Sequence, residues 1–439
     1  MKSRQKFRET EIGQIPDDWE VKRIGEVVRI NELVIDKSFK YKEIEYIDTS
    51  SVDRGRILRT VKFSVDKAPS RAQRILRKND IIISSVRPNL KHFAFIKEAK
   101  PNTIASTGFV VISSKKINPH FLYYYLTTDK YIDYLASIAD AHTSAYPAFN
   151  PDVIEESNVP FPPEIEQKLI AKILSDLDDK IEINQQMNKT LEMIGQSIFK
   201  YWFIDFEFPN DKGEPYKSSG GKLVDSELGF TPKGWEVKSL GDFISLERGL
   251  SYKGKGLCNS GIPMVNLGNM APNCGFLYNG LKYYSGEFKE RNLIRPGDIV
   301  VANSDITQKR DVLGSPAIVP SDLGSDKILF THHIFAVRNK SKLHNFFIYY
   351  LLQLKKYKDR VRGFAIGTSI LALPEDTILD FKFAVPDKAI LTKFVELVNN
   401  LRNKINNNNI QNTELSQIRD SLLPKLVSGK IRVPIEVKK

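Results

Sequence analysis

Pro16-Asp-Asp-Trp-Glu-Val-Lys22 packs Asp17, Asp18, Glu20 and Lys22 into one short stretch. Pro-Asp followed by Glu-x-Lys is the residue set of a common metal-dependent nuclease motif. Such chemistry needs two or more carboxylates converging on a magnesium ion. Here the acids are crowded along one segment rather than brought in from neighbouring strands. A second copy, Pro232-Lys-Gly-Trp-Glu-Val-Lys238, keeps the tryptophan and replaces both aspartates with Lys233 and Gly234. What recurs is the part that packs, so the stretch reads as a turn and a strand, with Trp19 or Trp235 anchoring the start of a domain. No G-x-x-x-x-G-K-[ST] loop, helix-opening G-x-G-x-x-G or Asn-Pro-Pro-Tyr site occurs, so ATP hydrolysis and adenine methylation by this chain find no support. His332 and His333, read as strand neighbours, would point to opposite faces and make a poor ligand pair. Asp205 reads as a cap or turn acceptor. Cys258 and Cys274 have no companions for a zinc site and read as reduced thiols.

The elements that would position any site are themselves written twice. Leu76-Arg-Lys-Asn-Asp-Ile-Ile-Ile answers Ile294-Arg-Pro-Gly-Asp-Ile-Val-Val, each a turn followed by a buried strand. Phe121-Leu-Tyr-Tyr-Tyr-Leu answers Phe347-Ile-Tyr-Tyr-Leu-Leu, each the start of an amphipathic helix. Two long heptad patterns follow. Ile170, Leu177, Asn184, Leu191 and Ile198 recur every seventh residue, as do Phe394, Leu401, Asn408, Leu415 and Leu422. Ile173, Met187 and Ile194 in the first, and Leu397 and Ile418 in the second, are taken as the other seam position, interrupted by Lys180, Lys404 and Gln411. The seam asparagines Asn184 and Asn408 suggest that the two helices meet each other. The expected fold is α+β, with two similar globular domains alternating with two long helices. The helices pair as an antiparallel coiled coil, giving a pseudo-twofold internal repeat. The expected boundaries are a first globular domain at 1–163, a central helix and its turn at 164–209 and a linker at 210–222. A second globular domain follows at 223–388, then a distal helix at 389–432 and a tail at 433–439.

The chain of 439 residues carries a formal net charge of +12, which favours a polyanion partner, nucleic acid first. No apolar run approaches the ~18 residues of a membrane span, and the N-terminus does not read as a signal peptide. In the first domain, Arg54, Arg56, Arg59, Arg71, Arg74, Arg87 and Lys91 belong to a dense basic run suited to phosphates. Base reading needs polar side chains on loops. Ser84, Ser85, Arg87, Asn89 and Lys91 follow a strand, and His142, Thr143, Ser144 and Tyr146 form a second loop. The matching loops of the second domain hold Asn303, Ser304, Asp305, Gln308, Lys309 and Arg310, and Arg362, Thr368 and Ser369. A protein-only coiled-coil adaptor and a free-standing nuclease or methyltransferase are the competing readings.

IGQIPDDWEVKRIGE, LGFTPKGWEVKSLGD, SIFKYWFIDFE and LLPKLVSGKIRV, in this order, resemble the framework motifs of the DNA specificity subunits of type I restriction-modification systems. The resemblance spans the chain. It implies a non-catalytic subunit that reads a bipartite site on double-stranded DNA, one half-site per target-recognition domain. It also implies two docked methyltransferase subunits and motor-nuclease (restriction) subunits. S-adenosylmethionine, ATP and magnesium would be used by those partners, and the complex would be cytoplasmic.

Overall fold

The computed structural model describes residues 6–434 except 142–146, 273, 307–309, 342 and 369. The chain divides into two compact units, 1–181 with 414–439, and 182–413. Each unit therefore contains one head together with parts of both long helices, rather than a head and a helix as separate domains.

In the first unit, one antiparallel sheet runs Phe93–Phe95, Ile81–Ser84, Phe109–Ser114, Val28–Ile30, and a second runs Val61–Ser64, Glu43–Ile47, Thr103–Ser106, Ala72–Ile75. In the second unit the first sheet runs Pro316–Ile318, Ile299–Ala302, Ile334–Asn339, Ile244–Arg248. Its other sheet contains Lys282–Tyr284, Ile262–Val265, Ile328–Phe330 and Leu293–Ile294 in the same order, with Leu257–Cys258 added at one edge. Each mixed sheet has one parallel pair, at the same place. The duplicated sequence is thus a duplicated topology.

The local chemistry explains why both copies fold alike. Ile81–Ser84 and Ile299–Ala302 are central strands, buried along their whole length, so they read as continuous apolar runs. The preceding turns put Asn79 (φ 70°) and Gly297 (φ 87°) in the left-handed region, which asparagine and glycine tolerate best. Asp80 and Asp298 close these turns by accepting the N–H of Arg77 (2.6 Å) and Arg295 (2.9 Å). The strand after each repeated tryptophan, Glu20–Arg23 or Glu236–Ser239, pairs antiparallel with the strand that leads into the long helix, Asn158–Phe161 or Lys382–Val385. The repeated motif ties the beginning of each head to its end.

The long helices cover Glu164–Phe203 and Lys388–Val427. They run antiparallel, since partner numbers fall along one helix as they rise along the other. Within the second unit Asn184 donates to Gln411 (2.8 Å) and Asn412 (2.9 Å), Asn408 donates to Asn188 (2.8 Å), and Arg402 donates to Glu192 (2.7 Å). Within the first unit Arg419 donates to Asp178 (2.7 Å). Asn184 and Asn408 are both buried on the seam but bond to neighbours of each other, not to one another.

The second seam position differs from the sequence reading. Met187, Ile194, Leu397 and Ile418 are exposed, as are Lys180 and Lys404. The packed positions are four residues after the first series: Leu174, Ile181, Asn188, Gly195 and Trp202, and Val398, Ile405, Asn412, Arg419 and Leu426. On a helix of 3.6 residues per turn, positions +3 and +4 lie on opposite flanks of the seam residue. An apolar residue on the wrong flank imitates a seam until the partner is in place. Gly195 leaves room for its partner: a Cβ there would crowd the Tyr350 hydroxyl.

The expected linker is folded. Tyr216 stacks on Phe208 (centroids 4.6 Å), which stacks on Trp235 (5.0 Å). Tyr216 is therefore packed, half-buried, against the second unit's core, while residues 211–215 are exposed.

Candidate nucleic-acid interface

In the first head, the strand Ile81–Ser84 ends in a loop built for presentation. Arg87 (φ 48°) and Lys91 (φ 58°) both adopt left-handed backbone around the single turn Pro88–Leu90. The segment from Pro147 closes against it, with Phe149 N–H donating to Ser85 O (3.0 Å) and Arg87 N–H to Pro147 O (2.8 Å). A short hairpin, Val52–Asp53 with Arg56–Ile57, docks on the other side. Arg54 N–H donates to Lys91 O (2.9 Å), Gly55 N–H to Phe93 O (2.8 Å), and the His92 ring meets Val52 O. This places Arg54, Arg56, Arg87, Asn89 and Lys91 at one end of the head. All but Lys91 are exposed, and Lys91 is paired with Asp129 at 2.6 Å.

Other candidates differ from these in exposure or bonding. Ser84 is buried and donates to Val86 O (2.8 Å), so its hydroxyl holds the loop rather than facing solvent. Ser85 donates to Gly108 O. Arg59 reaches the hydroxyls of Ser50 and Ser51 at 3.4 Å. Arg71 is exposed beside the strand Ala72–Ile75, whereas Arg74 lies on that strand with Nε buried and unbonded, and burial lowers its pKa.

The second head uses the same frame, with Leu373 N–H donating to Asn303 O (2.8 Å) as Phe149 does to Ser85. Its polar candidates, however, turn inward. Asn303, Ser304 and Asp305 are buried. Asn303 donates to His332 O and accepts from Ser304, and Asp305 accepts the N–H groups of Val312 (2.9 Å) and Leu313 (3.3 Å). An unbonded carboxylate or amide would be expensive there, so these residues build the loop and do not stand free to read bases. Arg310 (φ 55°) donates to Arg362 O, and Arg362 faces Asp311 at 3.6 Å, so both arginines sit at one rim with Thr368 in the loop beyond. His142, Thr143, Ser144, Tyr146, Gln308, Lys309 and Ser369 lie outside the described residues. The sequence reading passed over the basic helix Lys355–Gly363, legible from its charge density, whereas the loop it named from Gly363 to Ser369 holds the exposed Phe364 and Ile366 between two glycines.

The acids of the opening motif diverge. Asp18 accepts two hydrogen bonds from Arg432 (2.8 Å each), while Glu20 pairs with Lys22 of its own strand. Arg432 also donates to Glu166 (2.5 and 2.8 Å), a fully buried carboxylate that accepts from Trp19 Nε1 (3.0 Å). Among the described residues no group of three or more His, Cys, Asp or Glu side chains is placed to hold a metal ion. No helix among them is long and apolar enough to cross a membrane. His332 and His333 sit in a turn, not a strand, so their rings lie together, centroids 3.9 Å apart, instead of on opposite faces. Asp205 forms an ion pair with Lys200 (2.6 Å) at the end of the central helix rather than a cap.

Comparison with known proteins finds the duplication in a family model as well. The type I restriction modification DNA specificity domain matches at residues 16–193 and again at 232–417. The type I restriction enzyme MjaIX specificity subunit of Methanocaldococcus jannaschii is 31% identical, over 97% of this chain and 96% of the relative. The HindI specificity subunit of Haemophilus influenzae is 25% identical, over 94% of this chain and 100% of the relative. Among solved structures, the S subunit of a type I restriction-modification system from M. genitalium aligns with a TM-score of 0.49 at 15% identity, covering 93% of this chain and 96% of that one. A duplicated head, a matched pair of long helices and two family matches end to end lead to one conclusion: the chain belongs to the type I restriction-modification DNA specificity family, as a non-catalytic specificity subunit.

Proposed function

We propose that this subunit reads a bipartite site on double-stranded DNA, one half-site with each head, and directs partner subunits to it. The observation that carries the reading is that the two heads share one strand order but differ in the chemistry of their tips. The first presents Arg54, Arg56, Arg87 and Asn89, and the second buries Asn303, Ser304 and Asp305. One chain with two unlike tips suits two unlike half-sites. The basic tip of the first head supplies phosphate contacts, and its exposed Arg87 and Asn89 can reach base edges.

Two methyltransferase subunits dock on the framework, and motor-nuclease subunits join them. S-adenosylmethionine, ATP and magnesium are used by those partners in the cytoplasm. The apolar side chains left exposed on the central helix, Ile183, Met187, Ile194 and Tyr201 among them, support a protein partner on that face. The test is a methylation map. The chain is co-expressed with its methyltransferase subunit and the host DNA is sequenced for modified adenines. A single bipartite motif that depends on this chain is expected. A complex that forms yet yields no motif would favour a protein adaptor instead.

A further inference from the structure

The tip of the second head carries an unexplained apolar surface. Ile306, Phe364, Ile366 and Ile370 are 69%, 54%, 63% and 53% exposed. They are assembled by backbone pairing. Ser304 pairs with Ala372 and Asp305 with Leu371, antiparallel, and Ile366 bridges back to Ala372. Ile306 and Ile370 are the residues that leave this pairing on its two strands, each at a bend. Leu371 is buried while Ile370 and Ala372 on either side of it are exposed, and on the other strand Ser304 and Asp305 are both buried before the exposed Ile306. The bend back to Ile366 depends on Gly367 (φ 116°), where a Cβ would lie 2.3 Å from Ile370 O.

The rim of this surface is cationic. Arg360 stacks over the Phe364 ring at 4.9 Å, Arg362 and Arg310 meet beside it, and Lys355, Lys356 and Lys358 precede them on the same helix. An apolar ribbon edged with cations is complementary to a duplex groove, where phosphates flank the base edges. The major groove admits a two-stranded ribbon, and the thymine C5-methyl is the apolar group displayed there.

We infer that this ribbon enters the major groove and reads thymine methyl groups in the second half-site, with Ile306 and Ile370 as specificity-determining contacts. The inference rests on the bipartite reading above and deepens it. In the second head, methyl packing takes the place of the polar base contacts that burial denies to Asn303, Ser304 and Asp305.

The experiment uses the subunit in complex with its methyltransferase partner and duplexes carrying the mapped site. Thymines of either half-site are replaced by deoxyuridine, which deletes only the methyl. Wild type should lose about fourfold in affinity per contacted methyl in the second half-site. The variant Ile306→Ser/Ile370→Ser should bind both second-half-site duplexes equally and keep its response at the first half-site. Both side chains are exposed, so the fold tolerates the change. Wild-type binding that ignores deoxyuridine while the motif is still read would overturn the inference alone. So would a variant that loses the methyltransferase subunit with its DNA response unchanged, which would mark a protein-docking patch. If no bipartite motif is found, the inference falls together with the reading beneath it.

Discussion

Arg432 is bonded to two carboxylates in different settings. Glu166 is fully buried in the first turn of the central helix, where the helix dipole also favours a negative charge. Asp18 is on the surface, and the hydrogen bonds from Arg432 hold its carboxyl below the usual carboxylate value. Removing the arginine leaves the buried Glu166 charge with only the Trp19 N–H. Breaking such a pair costs about 3 kcal/mol, so Arg432→Ala should lower the urea midpoint of the first unit, followed by tryptophan fluorescence. The pH profile carries a second signature. A carboxyl depressed in the folded state contributes fully above its unfolded value, and the contribution is lost as pH falls through the folded value. The gap between wild type and Arg432→Ala should therefore be constant from about pH 5 upward and shrink below about pH 4. A gap independent of pH would mean that Asp18 contributes nothing.

At the scale of elements, the stretch of the helix pair inside the second unit is joined by side-chain amides. In the second unit Asn184, Asn188, Asn408 and Asn409 bond across the seam, and Asn184 Oδ1 remains buried without a partner. Buried seam amides lower stability and specify register. Each single change, Asn188→Leu or Asn408→Leu, strands an amide against a hydrocarbon. The double variant removes both polar groups at once. It should be more stable than the sum of the singles implies, by about 1 kcal/mol in a double-mutant cycle. Additive singles would show that the Asn188–Asn408 hydrogen bond does not couple the helices. The heptads themselves were legible, because a seven-residue repeat is a local property of each helix. Which flank completed the seam was not, because Met187 and Leu397 satisfy the pattern as well as Ile181 and Ile405 do.

For the whole molecule, the two heads carry different tips on a repeated frame. The same strand order holds a basic loop in one head and an apolar ribbon in the other. Replacing Ser84 to His92 with the corresponding loop of another family member should change the half-site assigned to the first head and leave the second intact. The methylation map reads the outcome, and a change in both half-sites would show that the heads do not read independently.

The sequence by itself determined the duplication, the strands of each framework, the two long helices and the family. These are written in short-range periodicities, in turn residues such as Asn79 and Gly297, and in motifs that recur in order. Only the tertiary structure decided which polar residues were available. Ser84 and Ser85 in one head, and Asn303, Ser304 and Asp305 in the other, are all loop-like by composition, yet all are engaged in hydrogen bonds, and Ser85 and Asn303 donate to carbonyls 23 and 29 residues away. It also decided that Arg432 closes on Asp18 and Glu166, and that Tyr216 leaves the linker to stack on Phe208. Burial and hydrogen-bond partnership are properties of what surrounds a residue. Partners distant in the chain leave no local period from which to read them.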